Sequence, residues 1–248
     1  MELTPKIEAF GTKFDLTIIF GSVLTAIIVL ILAIAATRRL QMRPGKLQAG
    51  IEMLLDLSRN LTRMGHDDKK AEKYLGFSFT LFLFLLVANQ LGVILMVTSG
   101  ADTNIPALGI TPEIMHEQNA HGVAWLKSPT ADMSVTFAMS IGVAVGAIII
   151  SMWINGVGGY IKGRYLVGPM ALLHIFEGVI NPITHGMRIW ANIFAGEILI
   201  GIMLQAGWAA SIPLAAWMGF SLFVGVMQAY VFTVLANVYM GEKINLAH

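Results

Sequence analysis

Three ionisable side chains stand at intervals that suit ion transfer inside an otherwise apolar part of this sequence. Glu177, Arg188 and Glu197 carry the only formal charges among residues 165–241. A charge at the centre of a membrane span costs about 2.5–3.5 kcal/mol on insertion scales, and charges that are kept there usually mark ion pathways or substrate sites. Together with His185, these residues predict an ion path through a membrane.

The spacing of Arg188 and Glu197 decides whether they can pair. Nine positions at about 100° per residue put them on opposite faces of a straight helix, about 13.5 Å apart along its axis. Arg188 therefore needs a partner on another helix or another chain. The residues expected near its direction on the same helix are His185, Asn192, Ala195 and Leu199. The spacing leaves one alternative open, a structural ion pair between helices that joins Arg188 to Glu177 or Glu197.

The composition of the chain is typical of a membrane protein. Of its 248 residues, 56% are hydrophobic and 12% are charged, whereas a soluble domain usually has about 25% charged residues. The net charge of +1 excludes a large basic surface for nucleic acid, and the lack of cysteine excludes disulfides and thiolate-bound metals or clusters. We expect no cofactor and no metal, because His116 and His121 have no further ligand types at metal-site spacing. The polar start of the chain lacks a basic segment and a cleavage site, so no cleaved signal peptide is expected.

Long apolar runs are expected to hold the charged residues in the membrane. The sequence predicts an all-α polytopic membrane protein that forms a single membrane domain over residues 1–248. It would have three roughly upright transmembrane helices, an amphipathic helix at the membrane interface and a long, strongly tilted C-terminal helical hairpin with a ready kink site at Pro182. The hairpin must tilt, kink or protrude, because a helix of about 29 residues is roughly 43 Å long and the hydrocarbon core is about 30 Å thick.

The expected elements follow from the apolar runs, and their orientation follows from the loops. They are an outer tail (1–15), transmembrane helices (16–36, 75–97 and 130–154), the amphipathic interface helix (44–64), an outer loop (98–129), the hairpin helices (168–206 and 212–240) and a cytoplasmic tail (241–248). Lys and Arg outnumber Asp and Glu by nine to five in 37–74, whereas 98–129 has Lys127 as its one base. The positive-inside rule therefore predicts a cytoplasmic C-terminus and an outer N-terminus.

Four stretches of the sequence resemble subunit a of F-type ATP synthase. They are RRLQMRPGKLQ (38–48), SPTADMSVTFAMSIG (128–142), GMRIWANIFAGE (186–197) and MQAYVFTVLANVYMGE (227–242). They occur in the family's order and cover most of the chain, whereas the N-terminal tail and the loop 98–127 are unmatched. The form AGEIL and the short chain are typical of bacterial members.

The resemblance implies a proton-conducting stator subunit of the F0 sector, in the plasma membrane of a bacterium. Arg188 matches the family's essential arginine, which would make each arriving c-subunit carboxyl release its proton and would block leakage between two offset half-channels. The implied partners are the c ring at the Arg188 helix, the b subunits of the peripheral stalk, the F1 head through the complex, and membrane lipid. No ATP hydrolysis is expected on this chain. The alternatives are a sodium-translocating version of the subunit and a secondary transporter that uses Arg188 as an anion site.

The resemblance also implies roles for further polar residues. Glu197 and Glu177 would be half-channel acids, and Gln228 would be the residue that holds Arg188 across the hairpin. Ser221 stands where some relatives have a histidine or an acid. The supporting polar residues are Asn192, Gln228, His185, His174, Ser221, Asn89 and Gln90. Packing between helices is an alternative role for Glu177, Asn192 and Gln228, as are a hydrogen-bonded structural role for His174 and interhelical hydrogen bonds for Asn89 and Gln90.

Overall fold

A computed structural model of the chain describes residues 2–9, 12–37, 45–95, 97–100, 105, 110, 122–165 and 170–245. Part of the first family-like stretch (38–44), most of the predicted outer loop, and residues 246–248 lie outside this range. His116 and His121 therefore also lie outside the described residues.

Six α-helices account for most of the described residues. They are α1 (Leu16–Thr37), α2 (Lys46–Arg63), α3 (Asp68–Ile94), α4 (Met133–Tyr165), α5 (Met170–Gln205) and α6 (Ser211–Ile244). Short 3-10 turns precede α4 (Pro129–Ala131) and join α5 to α6 (Gly207–Ala210). All of them except α2 are long and apolar enough to cross a membrane. The predicted all-α polytopic membrane fold is therefore confirmed, whereas the tilt of the hairpin stays a prediction.

Two helix bounds differ clearly from those predicted. The helix predicted over 75–97 begins at Asp68, because the charged residues before the apolar run form its first turns instead of a loop. The helix predicted over 130–154 continues to Tyr165 across a break at Gly156, which has φ 72° and ψ 154°. Glycine suits this break because a side chain disfavours positive φ. Residues 155–165, which the prediction left between two helices, are therefore helical apart from this break.

Five short strands lie in the segments that were predicted as tail and loop. They are β1 (Glu2–Leu3), β2 (Lys6–Ala9), β3 (Thr12–Asp15), β4 (Val97–Gly100) and β5 (Gly122–Leu126). The strands β2 and β3 form an antiparallel pair, and β5 pairs in parallel with β1 and antiparallel with β4. Pairing through the backbone over so few residues leaves little period-two pattern in a sequence, so these strands were not predicted.

The main core contains residues of α2, α3, α4, α5 and α6, and it fixes which side of α5 is buried. Ile189 and Ile193 of α5 are buried in one cluster with Phe82, Leu85 and Phe232. One helix turn earlier, α5 approaches α4 closely: a side chain on Gly186 would come within 3.2 Å of the Phe137 ring. Because this side of α5 is anchored in the core, the opposite side faces away from the rest of the chain.

The turn between α2 and α3 closes onto the end of α6 by a contact between two glycines. A side chain on Gly241 would collide with the carbonyl oxygen of Gly65, and a side chain on Gly65 would collide with the backbone of Asn237. Asn237 in turn accepts a hydrogen bond from the Ser78 hydroxyl of α3 at 2.7 Å. The end of α6 is therefore held firmly against the bundle.

Candidate functional site

Arg188 lies on the exposed face of α5. The residues that share this face are small or polar and are also exposed: Ala191, Asn192 and Ala195. Ile189, the next residue along the chain, is 1% exposed. Small neighbours allow another helix to approach closely. The packing of α5 thus presents the guanidinium to whatever covers this face.

The Arg188 guanidinium forms no ion pair and no hydrogen bond with any residue that the structure describes. The alternative of an ion pair with Glu177 or Glu197 is therefore not realised in this structure. The expected contact with Gln228 across the hairpin is also absent. Gln228 instead turns into a cavity, and its Oε1 has no hydrogen-bond partner within the described part of the chain. The arginine is left without a described counterion, as a site for a partner's carboxylate requires.

Glu197 lies on the other side of α5 and is tied to the segment that precedes α4. Its Oε1 accepts a hydrogen bond of 3.0 Å from the backbone N–H of Ser128. The close approach depends on Gly92 of α3, where an added Cβ would lie 2.5 Å from this same Oε1. The predicted opposite-face placement of Arg188 and Glu197 agrees with these positions, because Arg188 faces outward and Glu197 faces α3.

A hydrogen-bonded network surrounds this carboxylate. The Ser128 hydroxyl donates to the carbonyl of Ala88 at 2.8 Å and lies 2.7 Å from the Thr130 hydroxyl. Thr130 donates to Asn89 Oδ1 at 2.7 Å, and Asn89 Nδ2 donates to the carbonyl of Gly225 at 2.9 Å. Asn89 therefore joins α3, the 3-10 turn and α6. Buried polar groups that are all paired make a rigid support.

A cavity of about 390 Å³ leads from Glu197 towards Arg188 between α5 and α6. Its polar lining residues are Asn89, Asn192, Glu197, Ser221 and Gln228. Asn192 follows Arg188 by four positions and lies one turn away on the same exposed face. Ser221 Oγ and Gln228 Oε1 are both buried and have no hydrogen-bond partner among the residues described. The structure thus brings five of the predicted site residues together.

Glu177 lies towards the other end of α5, where it is half-buried. It precedes Arg188 by 11 positions, and Glu197 follows Arg188 by nine, so the two acids are about 30 Å apart along the helix at roughly 1.5 Å per residue. The two acids therefore lie on opposite sides of Arg188 along α5, and the structure does not bring them together.

The two predicted histidines, His185 and His174, are both fixed by contacts with other parts of the chain. His185 is buried, and its ring centroid lies 5.0 Å from that of Phe232 on α6. It lies about 60° around α5 from Arg188, and α6 covers it there, whereas Arg188 is exposed. His174 Nδ1–H donates to the carbonyl of Arg164 at 2.9 Å, so this histidine has the structural hydrogen bond that was one of its two predicted roles.

Gln90 and Asp132 also make local hydrogen bonds. Gln90 Nε2 donates to the carbonyl of Leu222 at 2.9 Å, which joins α3 to α6. Asp132 Oδ1 accepts from the N–H of Ser134 at 2.7 Å, as expected of a residue that caps the start of α4. The sequence analysis missed two residues that matter here, namely Gly92 and Ser128. Ser128 opens one of the family-like stretches, whereas nothing in the local pattern marks Gly92.

The arrangement suits proton transfer past a fixed cation. An arginine does not deprotonate in proteins, so Arg188 keeps its charge whatever it meets. A carboxyl that enters a low-dielectric site is held neutral by desolvation and ionises when it meets an opposite charge. An exposed arginine can therefore make a carboxyl that passes it release its proton, and the carboxylate beside the polar cavity can accept one.

Comparison with known proteins connects the chain with one family over nearly its whole length. The family model described as ATP synthase A chain matches residues 19–241. The ATP synthase subunit a of Bacillus velezensis is 34% identical over 258 residues, covering 98% of this chain and 97% of the relative. That of Staphylococcus epidermidis is 35% identical over 248 residues, covering 96% of this chain and 94% of the relative. That of Alkalihalophilus pseudofirmus is 32% identical over 249 residues, with 97% of both chains covered.

Proposed function

The chain belongs to the ATP synthase A chain family, and on this premise we propose how it works as the proton-translocating stator subunit of the F0 sector. It is a multi-pass membrane protein that couples proton flow to the synthesis of ATP by the complex. The observation that carries the mechanism is the exposed Arg188, which has no ion-pair partner among the described residues.

Arg188 acts on the carboxyl groups of a rotating c ring. Each c-subunit carboxyl has to be neutral while it faces lipid, because a buried unpaired ion is very unfavourable. When rotation brings the carboxyl to α5, the guanidinium stabilises its ionised form, and the proton leaves. The exposed small side chains of Ala191 and Ala195 let the c-subunit helix come close enough for this exchange.

The cavity beside Glu197 is the half-channel on the outer side. Its polar lining, which includes Ser221 and Gln228, would make it a path for water. Glu197 exchanges protons with this water, and Asn192 lies at the end of the cavity nearest to Arg188. The hydrogen bond from Ser128 fixes one oxygen of the carboxylate, which holds this acid beside the cavity.

Glu177 serves the half-channel on the cytoplasmic side. Its distance of about 30 Å from Glu197 along α5 keeps the two half-channels apart, and the permanent charge of Arg188 between them repels a proton that would pass directly. A proton that crosses about 100 mV releases roughly 2.3 kcal/mol, which is available for rotation only if this direct path is closed.

The orientation and the neighbours complete the proposal. The N-terminus and the segment before α4 face the outside of a bacterial plasma membrane, and the C-terminus faces the cytoplasm, as the positive-inside rule indicates. The c ring lies against the exposed face of α5, and the b subunits of the peripheral stalk hold the chain still against the F1 head.

Purification together with a proton-pumping assay tests this function. The chain should co-purify with a ring of small c subunits and with a soluble ATPase, and vesicles that contain the complex should acidify on addition of ATP with or without sodium. A chain that purifies without these partners and instead transports an anionic solute would contradict the proposal. Acidification that requires sodium would point to the sodium-translocating version.

A further inference from the structure

Thr130 is a fully buried polar residue to which the proposed mechanism gives no part. It lies in the 3-10 turn before α4 and is 0% exposed. Its hydroxyl joins two other side chains, because it lies 2.7 Å from Ser128 Oγ and donates to Asn89 Oδ1 at 2.7 Å. Three other buried threonines instead bond a carbonyl one turn back on their own helix, namely Thr25, Thr62 and Thr233. The Thr130 hydroxyl therefore connects separate parts of the fold.

The segment that leads into this 3-10 turn is packed closely against α1. Thr17 Oγ1 donates to the carbonyl of Ala124 at 3.0 Å. A Cβ on Gly21, one helix turn further along α1, would lie 3.2 Å from the carbonyl oxygen of Lys127. Contacts with α1 thus hold the chain up to residue 127, immediately before Ser128.

Contacts with α3 and α6 hold the residues that follow. The Ser128 hydroxyl donates to the carbonyl of Ala88 on α3 at 2.8 Å. Thr130 bonds Asn89 on the same helix, and Asn89 Nδ2 donates to the carbonyl of Gly225 on α6 at 2.9 Å. An unbroken series of buried hydrogen-bonded groups therefore runs from α6 through Asn89 and Thr130 to Ser128. Hydrogen bonds in such a series polarise and strengthen one another.

Ser128, at the end of this series, also holds the carboxylate of Glu197. Its backbone N–H donates to Glu197 Oε1 at 3.0 Å. The donor and the acceptor have little room to shift, because a Cβ on Gly92 would lie 2.5 Å from Oε1 and 2.8 Å from the Ser128 nitrogen. Thr130 thus reaches the carboxylate through Ser128.

We propose that Thr130 is a positioning residue of the outer half-channel, whose hydroxyl places the Ser128 N–H and, through it, the carboxylate of Glu197. The inference rests on the proposed role of Glu197 as a half-channel acid. Glu197 takes up and releases the transported proton, whereas Thr130 keeps its hydroxyl proton throughout. Without this hydroxyl, Asn89 Oδ1 loses a buried donor and Ser128 loses a neighbour that holds it. Proton transfer then slows, because small misplacements of a reacting group reduce its rate strongly.

The test uses the whole complex in vesicles and measures passive proton flux through F0 after removal of F1. Thr130→Val keeps the shape of the side chain and removes its hydroxyl. It should lower the flux about two- to tenfold, the range that corresponds to the net contribution of one hydrogen bond. Thr130→Ser keeps the hydroxyl and should restore most of the flux.

Thr136→Val is the matched control. This threonine is 1% exposed, and its hydroxyl bonds the carbonyls of residues 132 and 133 at the start of its own helix. Its replacement removes a buried hydroxyl from the same part of the chain and should leave the flux unchanged.

A structural role and a positioning role differ in the Glu197→Gln background. Glutamine accepts the same hydrogen bond from Ser128, so Thr130→Val should lower the thermal stability of the complex equally in both backgrounds. If Thr130 acts on transport through Glu197, Thr130→Val should lower the flux no further once Glu197 is replaced. The proposal would be overturned by an equal fold-reduction of flux in both backgrounds, by full flux in Thr130→Val alone, or by equally low flux in Thr130→Ser.

A second variant covers loss of assembly. If Thr130→Val fails to assemble with the c ring, Thr130→Ala is used for the same comparisons. Normal flux in Thr130→Val together with low flux in Glu197→Gln would remove the positioning role alone. Normal flux in Glu197→Gln would instead remove Glu197 from the half-channel, so the two failures are distinguishable.

Discussion

Glu197 and Ser128, which are 69 positions apart, are joined by a hydrogen bond of 3.0 Å from the backbone N–H of Ser128 to the carboxylate. The bond fastens the segment before α4 to the middle of the hairpin and fixes one oxygen of the acid that we place in the outer half-channel. Because the donor is a main-chain group, the contact depends on the space around it more than on the side chain of residue 128.

Gly92→Ala should impair the outer half-channel. The new Cβ would lie 2.5 Å from Glu197 Oε1 and 2.8 Å from the backbone nitrogen of Ser128, so the backbone has to move and the hydrogen bond is lost. Overpacking of this kind typically costs about 1–3 kcal/mol of stability. Proton flux and the thermal stability of the detergent-solubilised complex should both fall. Gly76→Ala on the same helix, where an added Cβ meets nothing within 4 Å, should change neither.

Glu197→Gln should slow proton flux without loosening the fold. The amide oxygen of glutamine still accepts the hydrogen bond from Ser128, but the side chain no longer carries a proton. We expect flux to drop about 10- to 100-fold, around the lower end of what positioned proton-transfer groups contribute. Stopped-flow acidification of vesicles measures the flux, and thermal unfolding of the complex checks the fold. Unchanged flux at normal assembly would remove Glu197 from the path.

His66, in the turn between α2 and α3, should make stability depend on pH. Burial, and then the positive charge of Lys70, lowers the pKa of His66 below its ordinary value of 6.5. The unfolded chain therefore binds a proton more readily, so stability is full above about pH 6.5 and falls as the pH drops through the folded-state pKa. In His66→Phe, which keeps an aromatic ring to stack on Tyr74, this loss should shrink. Thermal unfolding at several pH values measures it.

A matched variant checks the assignment to His66. Lys69→Met removes an exposed charge from the same region and should leave the pH dependence as it is in the unchanged chain. An acid-side loss of stability that is equally steep in His66→Phe would show that other groups cause it.

The sequence predicted the helices well because apolar runs long enough to cross a membrane are a strong signal. It also predicted that Arg188 and Glu197 cannot pair, since that follows from helix geometry alone. The contact of Gln228 with Arg188 is absent among the described residues, because two polar residues on facing helices can meet only if the register of the helices allows it. Register depends on contacts such as that of Gly65 with Gly241, which are far apart in sequence.

The burial of Lys243, which is 1% exposed, was not predicted for a related reason. The residues after position 241 have the composition of a tail, and only packing of the α2–α3 turn and α4 against the end of α6 makes Lys243 and Ile244 buried. The burial of His185 depends likewise on Phe232, a residue of the next helix. The local sequence pattern therefore predicts the helices and the charged face of α5, whereas contacts between helices determine which polar groups meet.

The most direct test of the central claim is ATP-driven acidification of vesicles that contain the complex with Arg188→Ala. The account predicts that acidification is lost while the c ring and F1 remain bound and ATP is still hydrolysed, because only the charge that exchanges protons with the ring is removed. Arg63→Ala, which removes an exposed arginine paired with Asp68, is the control and should pump normally. Acidification at the normal rate in Arg188→Ala would contradict the account.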